Sequence, residues 1–302
     1  MSEVFGVLAA VASSAVGGAA AGVTRFVAKV IDPLALGSLR FGVGFMLLAP
    51  LAMARKAKWP QHRDWPATVG LGLLFFAVFP VLFNASLRFT TASRGALALS
   101  TLPLLTMVAG ALLGVEAMSR RKSCGVLLAV AGVATALLAG LAYAPPTAWK
   151  GDLLMIGASG CMALYSVWSR PIIGRSDPIT FTAMAMGVGA FCLTTISAAR
   201  GSFDSVVDFG WPQWWAVAYL GVFGGALAFY LWAYALARTT PTRVAVSVTV
   251  SPITAALVGA FILDEAIRWN LLLGLAAVFA GIWTATTTST TTSLKSQQTR
   301  SS

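Results

Sequence analysis

The sequence predicts an all-α integral membrane protein with ten transmembrane helices, arranged as two inverted repeats of five helices each. Three observations support this fold class: a composition poor in charge, ten long apolar segments and an internal repeat. The chain of 302 residues is 58% hydrophobic and 10% charged, whereas a soluble domain carries about 25% charged residues. It is long enough to form a soluble core, but it has too few charged residues to cover the surface of one.

Ten segments are long enough to cross the hydrocarbon core of a bilayer, which takes roughly 17–25 residues per helix. They comprise residues 4–24, 33–54, 65–87, 95–115, 123–149, 153–169, 178–199, 209–237, 244–263 and 269–294. Nine of them carry no charge, and the second contains only Arg40. The first segment lacks the basic stretch that precedes a secretory signal and is longer than the apolar part of one, so we expect a retained helix.

The second half of the sequence repeats the first. Asp177 matches Asp32 at an offset of 145 residues, four extra residues then enter the second copy, and Pro252 matches Pro103 at an offset of 149. One drift of four residues over so long a span is hard to produce by chance. Long repeats in an apolar chain are typical of transporters, which use them to face the two sides of a membrane in turn.

The repeat divides the chain into a first unit, residues 4–142, a second unit, 150–288, and a Thr-, Ser- and Gln-rich tail, 289–302, which we expect to be disordered and cytoplasmic. Because each unit has five spans, an odd number, the second is inserted upside down. With both termini in the cytoplasm, 13 Lys and Arg residues lie on the inner side and seven on the outer side, as the positive-inside rule requires. This distribution explains the net charge of +11 without a nucleic-acid partner.

The ionisable residues that support proton coupling or metal binding are absent from the span interiors. All ten acidic residues lie at span ends or in loops, whereas proton-coupled carriers usually place a carboxylate at membrane depth. The three cysteines show no metal-ligand spacing, so we predict no metal, no cofactor and no catalytic residue. A neutral or zwitterionic substrate fits this pattern best.

Pro103 and Pro252 occupy matching positions near the middle of the fourth and ninth spans. A proline has no N–H, so the carbonyl four residues earlier loses its helical partner and must find another inside the membrane. Thr101 and Thr249, with neighbouring serines, offer hydroxyl groups at these points. We interpret the prolines as gating kinks beside a substrate pathway; static kinks tolerated by packing are the alternative.

The third and eighth spans carry matching aromatic stretches. The residues that we predict to contact substrate there are Phe79 and Asn84 in the third span and Tyr230, Trp232 and Tyr234 in the eighth. Tyr230 and Tyr234 are four residues apart and share one helix face. Aromatic side chains of this kind suit a pocket for aromatic and aliphatic amino acids. Packing between helices or contact with lipid is the alternative.

Arg40 is the one charged side chain inside a span. On insertion scales an arginine at membrane depth costs about 2.5–3.5 kcal/mol. Two interpretations are open. Arg40 binds the carboxylate of a substrate, or it reaches the outer surface and pairs with Asp32.

Two segments carry a family resemblance. The first runs from Leu112 to Ala117 and, after basic residues, from Gly125 to Val133; the second runs from Phe261 to Ala266 and from Leu271 to Gly281. They resemble the ends of EamA repeats, two of which form the ten-helix exporters of the drug/metabolite transporter superfamily. The resemblance covers roughly residues 6–284, and overall the chain is most similar to YddG-type exporters of aromatic and other amino acids.

The resemblance implies a multi-pass protein of a bacterial inner membrane, with both termini cytoplasmic. It implies export of small metabolites, favouring aromatic and other neutral amino acids, by alternating access around a central cavity between the repeats. The implied partners are this small-molecule substrate and the lipid bilayer; the sequence does not indicate an oligomeric state. Export of drugs or sugar conjugates stays open, whereas the lack of an HExxH or GxSxG motif disfavours an integral membrane enzyme.

Overall fold

The computed structural model describes residues 2–115 and 144–264, together with isolated residues at 123, 124, 127, 128, 131, 132, 134, 135, 138, 269, 272, 273, 276 and 280. The described residues form helices and turns, with no strands among them. Most of the predicted fifth and tenth spans, the glutamates Glu116 and Glu265, and the predicted tail over 289–302 lie outside the described residues. The number of spans therefore stays a prediction.

The described part of the chain contains eight long helices, which correspond to the predicted spans one to four and six to nine. They are α1 (Ser2–Val27), α2 (Pro33–Ala54), α3 (His62–Phe89), α4 (Ala92–Leu112), α5 (Ala148–Ile173), α6 (Pro178–Ala199), α7 (Trp211–Leu236) and α8 (Pro241–Leu263). Seven of them, all except α5, are long and apolar enough to cross a membrane. Helix α5 has 26 residues, with Asp152 and Arg170 near its two ends.

Matching residues start the matching helices of the two halves. The side chains of Asp32 and Asp177 cap α2 and α6, each accepting the backbone N–H two residues later at 2.9 Å. The hydroxyls of Thr91 and Thr240 cap α4 and α8 by accepting the N–H three residues later, at 3.3 and 3.4 Å. These caps satisfy N–H groups that a helix start leaves without a partner.

Four helices are irregular, again at matching positions. Helix α3 is π-helical over Leu74–Val78 and α7 over Leu220–Leu227, while α4 is interrupted between Leu99 and Leu102 and α8 contains a 3-10 turn over Ser247–Val250. The irregularities in α4 and α8 come directly before Pro103 and Pro252, because a proline cannot donate the hydrogen bond that would continue the helix. Segments of π-helix are rare and occur often at functional sites.

Helices α1 and α5, which occupy matching positions, run in opposite directions. Arg25, near the end of α1, donates to the carbonyl of Leu87 near the end of α3 at 2.6 Å, so α1 and α3 finish at the same end of the bundle. Asp152, at the start of α5, pairs with Arg94 at the start of α4, 2.6 Å apart. Helix α4 starts where α3 finishes, and α5 therefore begins where α1 ends.

Each half of the chain packs on the other through corresponding pairs of helices. Helices α2 and α6 pack on each other, α2 packs on α7 as α6 packs on α3, and α1 packs on α7 and α8 as α5 packs on α3 and α4. Glycines permit the close approaches: a Cβ atom at Gly72 would lie 2.6 Å from the carbonyl oxygen of Ala185, and one at Gly225 would lie 2.9 Å from that of Arg40. Small residues at such crossings let helix backbones approach in membrane proteins.

A cluster of aromatic rings occupies the centre of the bundle. Its members are Phe41, Phe75, Phe76, Phe79, Tyr165 and Phe229. Phe75 and Tyr165 stack with ring centroids 4.0 Å apart, and both are fully buried. Edge and stacked ring pairs add about 0.5–1.5 kcal/mol each beyond their buried area, so this cluster holds α2, α3, α5 and α7 together.

Two ion pairs, whose arginines Arg94 and Arg243 occupy matching positions, differ in burial, and this difference predicts their effect on stability. The side chains of Arg94 and Asp152 are 9% and 11% exposed, whereas those of Arg243 and Glu3 are 47% and 55% exposed. We expect Arg94→Met to lower the free energy of unfolding by about 3–5 kcal/mol, because it leaves a buried carboxylate without a partner. Arg243→Met should cost about 0–1 kcal/mol. Thermal unfolding in detergent micelles measures both, and equal losses would contradict the prediction.

Candidate functional site

A cavity of about 50 Å³ lies at the centre of the bundle, between α1, α2, α3, α4, α5, α7 and α8. It is lined by Ser13, Ser14, Gly17, Arg40, Phe79, Phe83, Leu99, Met162, Ala228, Phe229, Trp232, Val248 and Ser251. Small-molecule sites usually measure roughly 300–1,000 Å³. The helices must therefore separate before this cavity admits a substrate of that size.

The two halves of the chain supply matching residues to the lining. The pairs are Gly17 with Met162 at the offset of 145, and Phe79 with Ala228, Phe83 with Trp232 and Leu99 with Val248 at the offset of 149. The cavity is consequently placed where the two repeats meet. Five lining residues have no match in the lining, and Arg40 is the charged one among them: its matching residue is Ala185.

Hydroxyl groups from neighbouring helices reach the interruptions in α4 and α8. The hydroxyl of Ser14 lies 2.8 Å from that of Ser247, and the hydroxyl of Ser251 donates to the carbonyl of Ser14 at 2.8 Å. In the other half, Ser159 donates to the carbonyl of Leu99 in a long contact of 3.4 Å. Ser14 and Ser159 are not among the predicted site residues, although both are serines in apolar spans and match at the offset of 145.

Thr101 and Thr249 lie beside the interruptions but outside the cavity lining. Both are buried, and their hydroxyls donate to carbonyl groups of their own helices, those of Ala98 and Val246, at 2.9 Å each. They satisfy backbone acceptors in this conformation. Their assignment as substrate contacts stays a prediction.

Arg40 lies with its guanidinium in the cavity wall and is only 4% exposed. Its Nε and Nη2 atoms donate to the carbonyl of Gly224, at 3.3 and 2.7 Å, and this carbonyl belongs to the π-helical segment of α7. The guanidinium carbon lies 5.3 Å from the ring centroid of Phe41 and 5.8 Å from those of Phe83 and Phe229. Among the described residues, Arg40 forms no ion pair and its Nη1 atom forms no hydrogen bond.

The alternative roles expected for Arg40 do not match this position. Its side chain is buried and does not reach the surface. The carboxylate of Asp32 caps α2 through the N–H of Leu34 and makes no ion pair with Arg40 among the described contacts. The guanidinium of Arg40 lies beside one carbonyl and three rings, and no described anion balances its positive charge.

Phe79 and Trp232, among the predicted substrate contacts, line the cavity directly. Trp232 is 1% exposed, and its indole N–H donates to the hydroxyl of Ser166 at 3.2 Å. This hydrogen bond fixes the ring plane. Phe79 packs in the aromatic cluster against Phe75, with ring centroids 4.9 Å apart.

Three further predicted contacts lie away from the lining. Asn84 is buried and donates from Nδ2 to the carbonyl of Pro33 at 3.1 Å. Tyr230 and Tyr234 are half-buried with ring centroids 6.1 Å apart, and the guanidinium carbon of Arg238 lies 3.4 Å from the centroid of Tyr234. Tyr230 and Trp232 are two residues apart, and a helix turns about 200° over that distance.

The position of Trp232 predicts a change in selectivity that Tyr230 does not share. Trp232→Ala removes the largest ring from the lining, so we expect transport of small side chains to persist while that of large ones falls at least tenfold. Tyr230→Ala, the control on the opposite face, should alter both by less than twofold. Competition among amino acids of graded size in proteoliposomes measures this, and equal effects of the two substitutions would place the site elsewhere.

Comparison with known proteins connects this bundle to membrane transporters. The model of the EamA-like transporter family matches residues 4–138 and 149–287. An uncharacterized transporter of Archaeoglobus fulgidus is 22% identical over 265 residues, covering 86% of this chain and 90% of that protein. A probable terminal-alkyne amino-acid exporter of Streptantibioticus cattleyicolor is 24% identical, with 80% of each chain covered.

A protein of known crystal structure has the same fold. It superposes with a TM-score of 0.69 at 21% sequence identity, covering 94% of this chain and 95% of that one. The two matches of the family model span both halves of the chain and coincide with the two repeats found in the sequence. This protein is therefore a multi-pass membrane protein that belongs to the EamA-like transporter family.

Proposed function

We propose that this transporter exports small amphiphilic metabolites across a bacterial inner membrane, with aromatic and other neutral amino acids as the favoured cargo. The observation that carries the proposal is the central cavity, which lies where the two repeats meet and beside both interrupted helices. Transporters commonly bind substrate between repeats, at matching broken helices.

The chemistry of the lining supports amino acids as cargo. Phe79, Phe83, Phe229 and Trp232 offer apolar and aromatic surface for a side chain, while Arg40 offers hydrogen-bond donors for a carboxylate. A relative described as a probable terminal-alkyne amino-acid exporter is consistent with this cargo. We assign the chain to the YddG type on overall likeness, with an amino-acid substrate.

Alternating access follows from an inverted pair of repeats. The opposite directions of α1 and α5 and the exchanged packing contacts support two inverted five-helix units, 4–142 and 150–288. We place both termini in the cytoplasm, because this orientation puts most Lys and Arg residues on the inner side. Rocking of one unit against the other then opens the cavity to each side in turn.

Counterflow in proteoliposomes tests the proposed cargo and its coupling. Since no described carboxylate lines the cavity, we expect labelled phenylalanine to exchange against unlabelled phenylalanine with no pH gradient. The rate should change by less than twofold when a proton gradient is imposed or collapsed. Liposomes without protein are the control. Complete loss of exchange on collapsing the gradient would establish proton coupling and contradict the prediction.

The interruptions before Pro103 and Pro252 predict a kinetic role. Alanine restores an N–H and allows the helix to continue through the break, so we expect Pro103→Ala and Pro252→Ala to lower the turnover rate about tenfold. The substrate concentration that gives half-maximal transport should change by less than threefold, because neither proline lines the cavity. Pro50→Ala, within the uninterrupted α2, is the control. A rise in half-saturation at unchanged turnover would indicate a binding role instead of a hinge.

A further inference from the structure

The guanidinium of Arg40 is a buried cation whose donors are incompletely used. One carbonyl, that of Gly224, accepts from both Nε and Nη2, and Nη1 has no hydrogen-bond partner among the described residues. Arg40 is only 4% exposed, and it borders the cavity. A buried charge in this state costs free energy until an anion compensates it.

Arg40 forms an ion pair with none of the described side chains. Of the acidic residues, Asp64, Asp152 and Glu3 are paired with Arg175, Arg94 and Arg243 at the ends of the bundle, and Asp32 and Asp177 cap helices. The described lining contains hydroxyls, rings and apolar groups only, apart from Arg40 itself. Within the part of the chain that the structure describes, Arg40 therefore lacks a counter-ion, and the carboxylate of a ligand can supply it.

We propose that Arg40 is the recognition residue for the carboxylate of the ligand, and that the cavity takes monocarboxylates with an aromatic or apolar tail whether or not they carry an ammonium group. This inference rests on the proposed function but extends its substrate class beyond amino acids. A guanidinium is well suited to the role, because its planar donors match the two oxygens of a carboxylate.

The same geometry explains why an ammonium group is not required. A cation is held by carboxylates or by the faces of aromatic rings, and the described lining has no carboxylate. Phe83 and Phe229 already lie beside the guanidinium of Arg40, so a second cation on these rings would be repelled by the first. Ligand recognition is therefore concentrated at the carboxylate.

The recognition is also one-sided. Ala185 occupies the position that matches Arg40 in the second half and does not line the cavity, so the charge in the described cavity wall lies on the α2 side alone. A ligand with one carboxylate and one apolar tail then binds in a single orientation. Its carboxylate faces α2, and its tail lies against the rings of α3 and α7.

Three ligands that share one ring and tail length separate the contributions of the two charged groups: phenylalanine, 3-phenylpropionate, which lacks the ammonium group, and phenethylamine, which lacks the carboxylate. Thermal stabilisation of the purified protein in detergent measures their binding without requiring transport. We expect 3-phenylpropionate to stabilise the protein at concentrations within threefold of those needed for phenylalanine. Phenethylamine should need at least tenfold more. Equal stabilisation by phenethylamine would overturn the proposal.

Substitution of Arg40 separates recognition from a structural role. Arg40→Met removes a charge that has no counter-ion among the described residues, so we expect a melting temperature equal to or above that of the wild type and no stabilisation by 3-phenylpropionate. Arg40→Lys, which keeps the charge but loses the planar donors, should retain part of the stabilisation. The matched control, Arg94→Met, should lower the melting temperature and keep the full response to the carboxylate.

Each remaining outcome is decisive. A melting temperature of Arg40→Met as low as that of Arg94→Met would assign Arg40 to the structure of the bundle and overturn the proposal. Retained stabilisation by 3-phenylpropionate in Arg40→Met would do the same. Carboxylate binding that depends on Arg40, with no exchange of amino acids in proteoliposomes, would support this inference while contradicting the proposed cargo.

Discussion

Every backbone N–H and C=O buried in this apolar bundle needs a partner within the protein, and the architecture depends on this constraint. Water is not available in hydrocarbon to satisfy a broken helix. Irregular backbone is accordingly placed inside the bundle, where the hydroxyls of Ser14 and Ser159 reach the interruptions of α8 and α4. The same interior position makes these interruptions available to a substrate cavity.

The distribution of charge follows the same logic with one departure. Each described ion pair at the two ends of the bundle joins an arginine to an acidic residue. In the buried pair, Nε and Nη2 of Arg94 both donate to the carboxylate of Asp152. Arg40 is buried more deeply than either partner of that pair and has only a carbonyl and ring faces around it. Stability alone does not explain a cation in such a position, since apolar residues of similar volume would pack there at lower cost.

Much of the fold was predictable because it is fixed by local chemistry. Asp32 and Asp177 precede prolines and cap helices, and Pro103 and Pro252 interrupt theirs; these effects act over a few residues and leave a clear signal in the sequence. The family and the membrane location are confirmed, and both rest on patterns that extend over the whole chain. The fifth and tenth spans remain predictions.

The site was less predictable because it depends on helix rotation. Within the aromatic stretch of α7, Trp232 lines the cavity while Tyr230 and Tyr234 do not, and the hydrophobic periodicity of a helix that is apolar on all sides does not show which face is inside. The burial of Asp152 was not predictable for a similar reason: the sequence shows only that it lies at a span end, whereas packing of α5 on α3 and α4 encloses it. Ser14 and Ser159 were identifiable only as a matched pair, since a single serine in an apolar span carries little information.

The cavity combines a nearly symmetric scaffold with an asymmetric charge, and this combination suits a transporter. Matching residues such as Phe83 and Trp232 line it from both halves, so both halves contribute apolar surface to its wall. Arg40 has no match, so the charge lies on α2 alone. In the proposed alternating access, with Arg40 as the proposed anchor, a ligand would remain bound at one point while access changes from one side to the other, and its release would depend on how far the walls separate from the tail.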